Sequence, residues 1–147
     1  MSRIKVFSLF VLAGVLAACS PRSPGESPGT VAGTAGRAGP TSAEIGERIY
    51  SGNCVPCHQQ NGAGIPGVYP SLAGSAVVTG DPAELARWVM KGQRPRSMPA
   101  GRYSTQMLQF GWMKPADAAA LFSYLRSNFG NAAAPVDAAT VAKALGP

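Results

Sequence analysis

The sequence predicts an all-α fold, three main helices joined by long loops that close around something other than polypeptide. Three observations carry that reading. Helix start and stop signals recur three times between Thr41 and Asn131. No run among the 147 residues alternates apolar and polar side chains as a half-buried strand would. The connections between residues 52 and 81 and between 92 and 115 are rich in Gly and Pro, and structureless loops of that size are uncommon in so small a domain. Three short helices would also leave a thin apolar core. A large bound group resolves both difficulties.

Taken in order, residues 1–18 read as an export leader. Arg3 and Lys5 form a positive start, Val6 to Val15 is an apolar run too short to span a bilayer, and small residues precede Cys19. The Leu16-Ala17-Ala18-Cys19 box resembles a bacterial lipoprotein signal. That resemblance implies cleavage before Cys19 and acylation of Cys19, with two or three chains making a stable membrane anchor. It places the protein in the periplasm on a membrane, and Ser20 in place of Asp tilts this toward the outer membrane. Residues 19–40 follow as a tether of Ser, Pro, Gly, Thr and Ala with no apolar periodicity. Flexible-chain scaling gives it an end-to-end distance of roughly 25 Å.

The first helix opens at Thr41, which forms a T-x-x-E capping box with Glu44, and Gly52 is the expected stop. Gly46 inside it costs about 1 kcal/mol against Ala and so marks a close backbone crossing. The second opens on Asp81-Pro82 with Glu84 in its first turn, runs through Leu85, Trp88 and Val89, and stops at Gly92. The third opens on Pro115 and Asp117, repeats apolar residues at Ala118, Leu121, Phe122, Leu125 and Phe129, and closes at Gly130. The domain is therefore residues 41–131. In the tail, 132–147, Asp137 caps a short amphipathic helix that either packs on the domain or frays.

The chain has three cysteines and one histidine, and C-V-P-C-H gathers Cys54, Cys57 and His58 at the end of the first helix. A thioredoxin-like C-x-x-C would need a βαβ setting and gives no reason for His58. A structural zinc site would need a fourth Cys or His ligand. C-x-x-C-H is the attachment signature of c-type haem: two thiols three residues apart on one turn add to the two vinyl groups along a porphyrin edge, and the adjacent imidazole meets the iron. The expected cofactor is one covalent haem c with its iron. Covalent attachment suits an exported protein, in agreement with the leader.

The formal charge of +6 falls to +4 when Arg3 and Lys5 leave with the leader, eleven basic against seven acidic residues. That bias, without interleaved aromatic residues, does not support nucleic-acid binding. Arg87, Lys91, Arg94, Arg96 and Arg102 cluster near the site, either as a solvated face or as a docking surface. Gly62-Ala63-Gly64 gives the chain room to pass the haem edge.

The segment from Thr41 to Leu145 resembles small class I cytochromes c, especially the single-haem domains associated with bacterial alcohol and sugar dehydrogenases. Gly46 with Tyr50, C-V-P-C-H, P-S-L-A-G from Pro70 to Gly74, and L-F-S-Y-L-R-S-N-F-G-N from Leu121 to Asn131 carry the likeness. It implies that the first and last helices cross at Gly46 against Leu121 and Tyr124. It also implies that the Pro70 carbonyl accepts the Nδ1–H of His58, which orients the ligand and raises its basicity; read alone, Pro70 is a loop proline.

The sixth iron position decides the chemistry. A single histidine excludes bis-histidine ligation, and Met90 reads as core filling. Met98, Met107 and Met113 remain. Met107, in M-L-Q-F-G-W, resembles the family's M-P-x-F-x-W run except for Leu108, and it is the expected ligand; Met98, before Pro99, is the alternative. Trp112 is a candidate to reach a haem propionate, and Trp88 either lines the haem or fills core. A histidine–methionine pair raises the potential and leaves no open coordination position. The expected function is a single-electron carrier and not an enzyme, a partner or subunit of a dehydrogenase or quinol-oxidising complex that delivers to an oxidase or reductase. The alternative is a haem enzyme or gas sensor with an open sixth position.

Overall fold

The computed structural model describes residues 39–98 and 101–147. The leader, Cys19 and most of the tether lie outside the described residues. The described part is helical: α1 (Ser42–Asn53), α2 (Val55–His58), α3 (Ala76–Thr79), α4 (Pro82–Lys91), α5 (Pro115–Ser127) and α6 (Ala138–Leu145). Among the described residues the β-pairing is one isolated bridge, Ile65 to Tyr69.

The expected capping box starts α1. Thr41 Oγ1 accepts from the Glu44 N–H at 3.3 Å, and the Glu44 carboxylate accepts from the Thr41 N–H at 2.7 Å. The stop at Gly52 does not occur. The helix continues to Asn53, the Cys54 N–H donates to Tyr50 O at 2.8 Å, and Pro56 helps open the single turn of α2. Gly52 is not among the glycines of positive φ, so the left-handed turn of a C-cap is not made there.

The helix α4 is bounded as its signals predict. Asp81 accepts from the Ala83 N–H at 2.9 Å, and Gly92 ends the helix at φ 67°. Gly92 N–H donates to Trp88 O, the 5→1 bond of an αL cap, and Gln93 N–H to Arg87 O satisfies a further carbonyl of the last turn. The helix α5 ends at Ser127, short of Gly130, and Phe129 takes φ 59° beyond it. That turn aims the Phe129 ring at α1 and α5: its centroid lies 5.0 Å from Tyr50 and 5.9 Å from Tyr124.

The helices α1 and α5 cross at Gly46. A Cβ added there would meet the Ala120 carbonyl oxygen and stand 2.7 Å from Tyr124 Cβ. Of the residues expected there, Tyr124 is among the nearest, with Ala120 beside it, and Leu121 lines the cavity of the site. The short α3 gave no sequence signal, since its cap Ser75 makes no side-chain bond. The tail docks. Asp137 caps α6 by accepting from the Thr140 N–H at 2.6 Å, Val141 is fully buried against the core, and Lys91 Nζ donates to Leu145 O.

Candidate haem-binding site

The end of α1 and the turn of α2 carry Cys54, Cys57 and His58. The N–H groups of Cys57 and His58 both donate to Cys54 O, at 3.1 and 2.8 Å, so one tight turn holds all three side chains. They line a cavity of about 1040 Å³ together with apolar side chains from every later wall: Leu72 and Val78, Leu85 and Val89 of α4, Leu121 and Leu125 of α5. Small-molecule sites run from about 300 to 1,000 Å³. A partly open cavity of this size has room for a large ligand.

His58 is 7% exposed, and its Nδ1 lies 2.9 Å from Pro70 O. A carbonyl only accepts, so Nδ1 carries the hydrogen and the lone pair is on Nε2. Burial pushes the His58 pKa down, with the Pro70 bond working the other way. The ring is thus neutral and single in tautomer, the form that binds iron. Burial, with Cys57 beside it, pushes the free Cys54 thiol up to about 11.

The Pro70 carbonyl is itself held by its neighbours. Gly64, at φ 67°, passes so close that a Cβ there would stand 2.5 Å from Pro70 O. Gly62 makes the same allowance for Phe129, whose Cγ would be 2.6 Å from an added Cβ. These glycines yield to protein atoms, and neither is among the residues lining the cavity. Leu72 N–H donates to Gly62 O at 2.7 Å. The Asn131 side chain accepts from Gly74 N–H at 2.8 Å and donates to Leu72 O at 3.1 Å.

Among the methionines, Met98 and Met107 line the cavity. Met90 and Met113 are buried in the apolar core and are not part of that lining. Met107 packs against the core, and the Phe110 N–H three residues on donates to Val89 O at 3.0 Å, tying its loop to α4. Trp88 lines the cavity. Trp112 is placed otherwise than expected: it is 69% exposed, outside the lining, with its ring 6.3 Å from that of Phe110. The turn from Phe110 O to the Met113 N–H buries Met113 and leaves Trp112 on the surface. Of the basic cluster, Arg94 and Arg102 reach the cavity wall. Sequence reasoning missed the work of Gly64, Asn131 and the buried Arg126, because each acts on a backbone group outside its own turn, 57 and 48 positions away for the bonds of Asn131 to Gly74 and Arg126 to Val78.

The donor set fits the group it was expected to hold: paired thiols, an oriented neutral imidazole, two thioethers and apolar walls around one cavity. A helical domain of this construction is a single-haem c-type cytochrome domain. The chain belongs to the cytochrome c family, whose model matches residues 43–129. It is 33% identical over 92 residues to cytochrome c-552 of Thermus thermophilus, covering 59% of this chain and 70% of that protein. It is 44% identical over 48 residues to the cytochrome c subunit of a quinone alcohol dehydrogenase from Gluconobacter oxydans, 32% of this chain and 10% of that subunit. The family's cofactor is a covalent haem c with iron, and Cys54 and Cys57 fit its attachment motif. Its members carry electrons.

Proposed function

We propose that this chain is a single-electron carrier whose haem c is attached through Cys54 and Cys57 and ligated by His58 and Met107. When bound, the haem supplies a one-electron couple between ferric and ferrous iron. The chain's residues do the rest. Pro70 fixes the His58 tautomer, the apolar walls exclude water, and a methionine sulfur closes the sixth position, which favours electron transfer over chemistry on a bound substrate. The observation that carries the reading is the Nδ1 to Pro70 O bond of 2.9 Å in a cavity that also receives Met98 and Met107. Met107 is the ligand because Phe110, three residues on, ties its loop to α4.

The test is the visible spectrum of the oxidised Met107→Ala protein beside wild type. Loss of the weak long-wavelength band of a methionine–iron(III) bond is expected. Its survival would move the ligand to Met98, and its absence from wild type, with rapid carbon monoxide binding by the reduced protein, would support an open sixth position.

The partners fall to the same proposal. Likeness to a quinone dehydrogenase's cytochrome subunit supports a dehydrogenase or quinol-oxidising complex as donor and an oxidase or reductase as acceptor. Acylation of Cys19 would hold the carrier at a periplasmic membrane surface with the tether giving it reach. Cys19→Ala should move the protein from the membrane to the soluble fraction.

A further inference from the structure

Arg126 is 6% exposed, and its guanidinium makes three hydrogen bonds, all to backbone carbonyls. Nε donates to Ala134 O at 2.6 Å, and Nη1 donates to Val78 O at 2.7 Å and Gly80 O at 2.8 Å. No carboxylate among the described residues pairs with it. A buried charge ordinarily takes a counter-charge, because leaving water is costly for an ion and carbonyl dipoles replace only part of its hydration. A neutral amide has two N–H donors against the five of a guanidinium, so the three bonds account for the fork and leave the charge itself without a use. A cation kept buried without a partner asks for a further reason.

Its position supplies one. Val78, whose carbonyl it holds, is itself part of the cavity wall, and so is Leu125, the residue beside it on α5. The guanidinium thus stands one residue behind the wall of the haem cavity, where water and salt screen it little. Reduction of the bound group adds one negative charge inside that wall. A fixed positive charge behind the wall stabilises the reduced form more than the oxidised one.

We infer that Arg126 is a positioning residue that raises the reduction potential of the site through its buried, unpaired charge, while its fork latches α3 to α5 and to the chain leading into α6. The inference rests on the haem-carrier reading and is independent of which methionine binds iron. The experiment is a spectroelectrochemical titration of the full-length, haem-loaded protein as wild type, Arg126→Met and Arg126→Lys, with the long-wavelength band and thermal melting recorded on the same samples. Arg126→Met is expected to lower the equilibrium constant for reduction about tenfold, which is 59 mV for one electron. Arg126→Lys is expected to melt lower than wild type yet keep that constant within about threefold, since it keeps the charge and loses the planar fork. An unchanged potential in Arg126→Met, or an equal fall in both variants, would overturn the inference and leave Arg126 a latch alone. Should Arg126→Met fail to load haem, Arg126→Gln removes the charge and keeps two donors, and an unchanged potential there overturns it equally. A charge-dependent potential without the methionine band would support the inference while sinking the Met107 ligation.

Discussion

The N–H of Gly74 donates to Oδ1 of Asn131 at 2.8 Å across 57 positions of sequence. The same side chain donates from Nδ2 to Leu72 O at 3.1 Å and to Leu125 O at 2.8 Å. One buried amide therefore suspends the Pro70–Gly74 loop from the end of α5. Because Pro70 O orients His58, the imidazole depends on a residue that never touches it. The site is held by its back wall.

Asn131→Ala leaves two carbonyls and one N–H without their partner in a buried setting. Each unsatisfied group costs about 1–3 kcal/mol, and some are rescued by water. The expected loss is about 3 kcal/mol in denaturant unfolding of the haem-loaded protein. Asn131→Asp keeps the acceptor for Gly74 and loses the donor, so it should not restore stability. A loss below about 0.5 kcal/mol, the scale of an ordinary surface change, would mean that the loop stands without this support.

Gly64→Ala tests the carbonyl from the other side. The residue holds φ 67°, and its Cβ would stand 2.5 Å from Pro70 O. Strain of about 1–3 kcal/mol is expected together with displacement of the carbonyl. A His58 ring that loses the Nδ1 bond is less basic, donates less to ferric iron, and leaves the reduced state relatively favoured. The protein should melt lower while its reduction potential rises. Lower melting with an unchanged potential would show that Pro70 O follows His58 when Gly64 is crowded.

Tyr50 gives a pH signature. Its ring is buried, its hydroxyl donates to Gln59 O at 2.5 Å, and burial, with Cys54 nearby, pushes its pKa up from 10.0 to about 12. The folded state then holds a proton that the unfolded chain has released. The stability this provides is complete below pH 10 and is lost as pH rises through 12. Tyr50→Phe should be less stable by about 1 kcal/mol at pH 8 and fall less steeply between pH 10 and 12. Tyr124 is also raised by burial, so the quantity to read is the difference between the two proteins. Parallel curves would assign the alkaline loss to another group.

The starts of α1, α4, α5 and α6 were legible because capping is local: Thr41 with Glu44 and Asp81 with Pro82 act within one turn of themselves. The C-x-x-C-H turn was legible for the same reason. Gly52 misled because a stop glycine is recognised by a positive φ that only the fold confers. Trp112 misled because its exposure follows from the turn at Phe110 to Met113. The bonds that complete the site join Asn131 to Gly74 and Arg126 to Val78, pairings with no periodicity to announce them. The choice between Met98 and Met107 turns on loop anchoring through Val89, another long-range contact.

The tail offers a separation of stability from cofactor chemistry. The family match ends at residue 129, and α6 lies beyond it. Val136 and Val141 are buried against the domain, and Ser123 Oγ both accepts from the Val136 N–H at 2.9 Å and donates to Val136 O at 3.1 Å. Burying a valine contributes about 1.5 kcal/mol or more, offset in part by the entropy of ordering the segment. No α6 residue is among those lining the cavity. A chain ending at Asp137 keeps Ala134 O as the amide carbonyl that Arg126 Nε holds, places the new terminal carboxylate three residues away from it, and removes the helix. It should unfold about 2–4 kcal/mol more easily, with its haem spectrum and reduction potential unaltered. A changed spectrum or potential would show that α6 acts on the site through α4, whose Lys91 bonds Leu145 O and whose Leu85 and Val89 form part of the cavity wall.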